Sequence, residues 1–319
     1  MKDIAETEVE ETEKALKPKT WKDTLWNVTK VVLKFAVTSV LLYFVFRKVD
    51  FNEVKERLIN ANYWWMFAAL LCFFFSIVIS SWRLSSFFKS IDLKLDPRFN
   101  FRLYLLGLFY NFLLPGGIGG DGYKIYLLNK NYKLPAKKVF WAIMFDRLSG
   151  LWAIGLIIVA LIFLIPQIDI HIGIPLSIFI GGSIIYYFVA YKFFREYTRH
   201  FFAAHAKAVA VQGLQVLAIV CILLGQNFTG KFSPYLLSFL VSALATVIPI
   251  SIGGAGVRET VFTYLTKFFP MEKSLAVFLP GTFYIISIMV ALLGLYYVIR
   301  PSRLEEGLNK GDFNSENKL

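Results

Sequence analysis

The sequence predicts an all-α polytopic membrane protein with about six full spans and two Gly/Pro-broken re-entrant hairpins, eight hydrophobic segments arranged as an inverted repeat. Three observations predict it. Of 319 residues, 57% are hydrophobic and 18% charged, against roughly 45–50% and 25% in soluble globular chains. That is more apolar side chain than one water-surrounded core of this size can bury. Six stretches reach the length of about 20 mostly apolar residues that crosses ~30 Å of hydrocarbon. Two further apolar stretches are each cut in the middle by proline and clustered glycine, and the two cuts match each other.

From the N-terminus, residues 1–27 read as an acidic, disordered cytoplasmic tail and interfacial segment, because Glu6, Glu8, Glu10, Glu11 and Glu13 crowd a stretch with almost no apolar residues. A cleaved signal would carry a basic flank and an apolar run there, so insertion without cleavage is expected. The transmembrane region covers 28–300, with spans at 29–46, 63–82, 139–165, 172–191, 206–225 and 275–299 and broken segments at 103–128 and 235–268. Residues 301–319 form a polar C-terminal tail. The net charge of +12, from 34 basic and 22 acidic residues, is concentrated in the loops 83–102, 124–138 and 192–207, which the positive-inside rule places on the cytoplasmic face of the plasma (inner) membrane together with both termini. The loop 47–62 runs against this orientation, with Arg47, Lys48, Lys55 and Arg57 on the outside. Trp64, Trp65 and Trp82 fall where interfacial aromatic belts are expected.

The two breaks align without a gap. Residues 114–124 (LPGGIGGDGYK) lie on 248–258 (IPISIGGAGVR), with Pro115 on Pro249, Ile118 on Ile252, Gly119 on Gly253, Gly120 on Gly254 and Gly122 on Gly256, followed by the basic pair Lys124 and Arg258. Three full spans separate them, an odd number, so the second hairpin enters from the opposite face. Broken helices at corresponding positions of two inverted halves point to a substrate site near the bilayer midplane. Eight full crossings would also place both termini inside, so hairpins and spans remain alternatives on sequence alone.

Consecutive glycines, Gly116, Gly117, Gly119 and Gly120 in the first break and Gly253, Gly254 and Gly256 in the second, let backbone N–H groups converge. A helix resuming behind them points its positive end into the break, a natural place for a phosphate. Lys124 and Arg258 add mobile positive charge, or else snorkel to the interface. Asp121, Glu259, Asp146 and Arg147 complete the candidate set, because ionisable residues at membrane depth are expensive. Adjacent residues do not share a helix face, so Asp146 and Arg147 each need a partner elsewhere: Lys124 or Arg258 for Asp146, Asp121 or Glu259 for Arg147. Asn111, one turn before Pro115, is placed to satisfy freed backbone groups.

Cys72 and Cys221 sit in apolar runs away from any metal-ligand spacing, and His171, His200 and His205 are scattered near predicted span ends. No hydrolase, nucleotide or dinucleotide pattern occurs in a plausible context. No cofactor or metal is expected, and the basic excess speaks for cytoplasmic loops rather than nucleic acid.

At the segments Asn111–Asp121 (NFLLPGGIGGD), Asp146–Gly150 (DRLSG) and Pro249–Glu259 (PISIGGAGVRE), the sequence resembles the flippase-like integral membrane family related to the transmembrane domain of lysylphosphatidylglycerol synthases. The resemblance covers about 28–300. It implies an inner-membrane protein that handles a lipid, either an anionic or aminoacylated phospholipid or a polyprenyl-phosphate lipid. It carries over the translocation part, with Asp121, Lys124, Asp146, Arg147, Arg258 and Glu259 at the matching positions. The nineteen residues after 300 are not expected to supply an aminoacyltransferase, so the synthase activity in the family name does not transfer. The leading expectation is a lipid flippase or translocase, more a transporter than an enzyme. The alternatives are an intramembrane lipid-phosphate transferase and a non-catalytic membrane partner of a separate lipid-modifying enzyme.

Overall fold

The structure, a computed structural model, describes residues 56–57, 59–113, 119–165, 168, 170–247 and 256–304. The expected span at 29–46 and the cores of both glycine-rich breaks lie outside the described residues. Among those described, every regular element is a helix.

Helix α1 (Tyr63–Ser90) begins where the Asn62 side chain accepts the Trp64 N–H at 3.1 Å. Its 28 residues make about 42 Å of helix, more than the ~30 Å hydrocarbon layer needs. It therefore runs past its expected end at 82 as far as Ser90, and takes Arg83 into the helix rather than into a loop. Helix α2 (Pro97–Leu113) starts on Pro97, with the Asp96 carboxylate accepting the N–H groups of Arg98 and Phe99 at 2.8 and 3.0 Å. After the first break come α3 (Gly119–Tyr132), α4 (Ala136–Ile162), α5 (Gly173–Phe193) and α6 (Phe201–Gly225). The second broken segment gives α7 (Ser233–Ala245) and α8 (Val257–Leu265). Helix α9 (Lys273–Ala291) continues through a 3-10 turn, Leu292–Gly294, into Leu295–Ile299.

Five of these, α1, α4, α5, α6 and the stretch Lys273–Ile299, are long and apolar enough to cross a membrane. Helices α2, α3, α7 and α8, at 17, 14, 13 and 9 residues, extend about 25, 21, 20 and 13 Å and each falls short of the ~30 Å layer. They pack in pairs, α2 on α3 and α7 on α8.

Helices α1 and α6 run antiparallel, joined at one end by the Asn62 N–H donating to Gly225 O at 2.8 Å and at the other by Lys207 Nζ donating to Ser86 Oγ at 2.7 Å. Two apolar clusters fill the bundle. One gathers Phe73 and Ile77 of α1 with Phe239 of α7, Phe262 of α8 and Phe283 of α9. The other gathers Leu84, Phe87 and Phe88 of α1 with Leu103 and Leu106 of α2, Leu128 of α3 and Phe145 of α4. Helix α9 touches α1, α2, α6 and α8 and so ties the two broken segments to the bundle. Helix α5 is the outlier, with Ala190 its one buried residue. Its link to α4 includes Trp152, whose Nε1 donates to Ser183 Oγ at 2.9 Å and whose ring lies 5.6 Å from that of Phe179.

The tightest backbone approach is between α2 and α3. A Cβ on Gly120 would stand 1.8 Å from Gly107 O, and one on Gly107 would stand 2.2 Å from Lys124 Cε. Gly122, in the same helix, faces open space. Gly120→Ala is therefore expected to force the helix pair apart and cost at least the roughly 1–3 kcal/mol typical of overpacking, whereas Gly122→Ala leaves stability unchanged or slightly raised through better helix propensity. Thermal melts of the two purified variants in one detergent check this.

Candidate functional site

The charges of α3 and α4 converge between the two apolar clusters. Asp121 stands in the first turn of α3, where a carboxylate complements the positive helix end. Its Oδ1 accepts from Lys124 Nζ at 3.0 Å, and its Oδ2 accepts from Arg147 Nε at 2.6 Å across to α4. Asp121 and Lys124 are 7% and 4% exposed, so this pair is held in a low-dielectric interior where an unpaired charge would be costly. The Lys124 ammonium also lies 4.5 Å from the ring centre of Tyr104 on α2, a cation–π contact.

Asp146 takes neither partner expected for it. It is held by Arg83 of α1, whose Nε and Nη2 donate to Oδ1 and Oδ2 at 2.7 and 3.0 Å in a two-pronged pair. Both are buried. Charge counting puts Arg83 in a basic loop and so hides it as a partner. The signal for it is that the apolar run resumes behind it, through Leu84, Phe87 and Phe88, with serines rather than further charges between. Gly150 makes the room: a Cβ there would stand 3.2 Å from Arg83 Nη1. Arg147 and Asp121 do pair, one of the two options left open from sequence.

The N–H donors at the resuming helices are partly taken by the chain itself. Asn111 Oδ1 accepts the Gly120 N–H at 2.8 Å, bridging the end of α2 to the start of α3. At the second break Gly256 has a positive φ of 79°, and its N–H donates to Glu259 Oε2 at 2.8 Å, so that Glu259 caps its own helix. Arg258 lies in a separate aromatic setting, its guanidinium carbon 5.4 Å from the ring centre of Phe239 and 5.5 Å from that of Phe283. Phe112, next to the first break, meets Tyr284 of α9 with ring centres 5.7 Å apart. Tyr284 follows Phe283, so the two broken segments approach one another along α9. Gly119 opens α3. Pro115, Gly116, Gly117, Pro249, Gly253 and Gly254 lie outside the described residues.

A family model described as the lysylphosphatidylglycerol synthase TM region matches residues 31–294. The chain belongs to that family. It is an integral membrane protein of a family related to lipid modification or transport. The match takes in both broken segments, every charged residue just placed, and α9 as far as Gly294. No curated protein matches the chain.

The Arg83–Asp146 pair makes a stability prediction. Arg83→Met or Asp146→Leu leaves one buried charge without its partner and is expected to cost about 3–5 kcal/mol, while the double replacement Arg83→Met, Asp146→Leu recovers most of that loss. Denaturation of the three variants against the unchanged protein, read as a double-mutant cycle, tests it.

Proposed function

We propose that the protein is a lipid flippase or translocase of the plasma membrane, with both termini cytoplasmic, that binds a phosphate-bearing lipid headgroup where its two broken helices face one another. The observation that carries this reading is the placement of Lys124 and Arg258, each near the start of a helix that resumes after matched glycine-rich breaks, at apolar depth. Short helix pairs that do not reach across the hydrocarbon layer fit re-entrant hairpins. Breaks in two oppositely inserted halves are the arrangement in which rocking of one half against the other changes access to a fixed site.

Gly116, Gly117, Gly119 and Gly120 with Gly253, Gly254 and Gly256 shape the two breaks in this reading, and Pro115, Pro249 and Asn111 support them. Lys124 and Arg258 bring the positive charge to the two breaks, while Asp121, Asp146, Arg147 and Glu259 hold the surrounding helices in place. The lipid is an anionic phospholipid or a polyprenyl-phosphate lipid, its chains staying in the bilayer while the headgroup crosses. Movement is downhill or coupled to an ion or proton gradient.

Reconstitution into liposomes that carry trace fluorescent anionic or zwitterionic lipid tests the proposal, with dithionite bleaching the outer leaflet. Bleaching well beyond the half reached in protein-free liposomes is expected with the unchanged protein and is expected to fall back towards half with Lys124→Ala, Arg258→Ala. Half the signal staying protected for every headgroup, with and without an imposed pH gradient, counts against lipid movement.

A further inference from the structure

The two breaks differ in how their cations are satisfied. At the first, each is held by a carboxylate: Lys124 and Arg147 share Asp121, and Arg83 holds Asp146. At the second, Arg258 forms no ion pair among the described residues, and its Nη1 is buried with no hydrogen-bond partner. The neighbouring carboxylate makes neither an ion pair nor a hydrogen bond with it among the described residues. Glu259 is 6% exposed and turned back onto the Gly256 N–H, and adjacent residues on a helix point to different faces.

Phe239 and Phe283, whose ring centres are 4.8 Å apart, both lie against one side of the guanidinium. Aromatic faces attract the cation and restrict its plane, but they accept no hydrogen bond along that plane. A buried donor left unmade keeps its full desolvation cost, and a guanidinium fork matches the oxygens of a phosphate better than any other side chain does. Among the described residues, the Gly256 and Gly120 N–H groups already serve Glu259 and Asn111.

We infer that Arg258 is the residue that contacts the lipid phosphate, and that the Lys124–Asp121–Arg147 network is a clamp between α3 and α4 that the ligand does not touch. The inference rests on the proposed headgroup site and narrows it to one of the two breaks. Arg258 lies against a pair of touching rings with its Nη1 unpaired, whereas a ligand at Asp121 would have to displace two existing ion pairs before making its own.

The test titrates the purified full chain in detergent with dihexanoyl phosphatidylglycerol, with inorganic phosphate and with uncharged dihexanoylglycerol, following the ligand-induced rise in melting temperature. The unchanged protein is compared with Arg258→Gln, Arg258→Lys and Arg147→Gln, with Arg147→Lys replacing the last if it does not fold. The apparent Kd for the phosphatidylglycerol is expected to rise at least tenfold in Arg258→Gln, to recover part of that loss in Arg258→Lys, and to change less than threefold in the Arg147 variant. Without ligand, Arg258→Gln gives up its two ring contacts but breaks no ion pair, and is expected to lower the melting temperature less than Arg147→Gln does. That sets it apart from a residue with a structural role. Equal affinity of Arg258→Gln and the unchanged protein overturns the inference and leaves the proposed headgroup binding standing, and a tenfold loss in the Arg147 variant overturns the clamp. No response of the unchanged protein to either phosphate compound removes both. Inorganic phosphate matching the lipid in affinity, with the same dependence on Arg258, supports a site that recognises the phosphate itself. A response to the lipid alone with that dependence supports a site that also reads the lipid's glycerol or chains.

Discussion

A carboxylate buried in a membrane bundle has to find cations, and Asp121 finds two on different helices. Its bond to Arg147 fixes α3 against α4, its bond to Lys124 stays within α3, and the Arg83–Asp146 pair fixes α1 against α4 one residue away. In lipid the hydrophobic effect does not press helices together, since the surrounding chains are as apolar as leucine. Specific polar contacts and close backbone approaches therefore carry much of the assembly. The approach of Gly107 to Gly120 adds α2 to this group, and the Lys124 side chain lying over Tyr104 depends on it. Losing one member leaves another charge unpaired in an interior that does not solvate it.

The same constraint accounts for the recurrence of glycine at the junctions. Gly150 leaves space for the Arg83 guanidinium, and Gly294 brings the turn after α9 close to Leu105 O, where a Cβ would stand at 2.2 Å. Gly256 alone among the described glycines has a positive φ, at 79°, and there the chain turns into α8. Glycine thus does separate things here: it admits a charged side chain, lets backbones touch, and permits a turn.

Spans are the legible part of the sequence, because an apolar run long enough to cross a bilayer seldom occurs in a chain surrounded by water. Five of the six expected spans coincide with helices among the described residues, and the sixth lies outside them. Helix ends are less legible. Charge counting puts Arg83 in a loop, although α1 continues to Ser90, and with that it misses the partner of Asp146, 63 positions away. His205 is a similar case. The sequence places it near a span end, but α6 begins at Phe201, and its ring is buried against that of Phe201 with centres 3.9 Å apart. Of the candidate site, the glycine pattern, Asp121, Lys124 and Arg147 can be read from spacing and from the cost of charge in lipid. The rings around Arg258 cannot, since Phe239 and Phe283 look like any other apolar residue in helices rich in them.

Helix α5 stands apart from these constraints. It has one buried residue, and its visible ties to α4 run through Trp152. Most of its surface meets whatever surrounds the protein, which in a bilayer asks only that side chains be apolar. Its outward positions are therefore free to drift among isoleucine, leucine, valine and phenylalanine over evolutionary time, while the inward face of α3, with backbone contact at Gly120 and ion pairs at Asp121 and Lys124, admits little exchange. Divergence within one chain should be spread as unevenly as the contacts are.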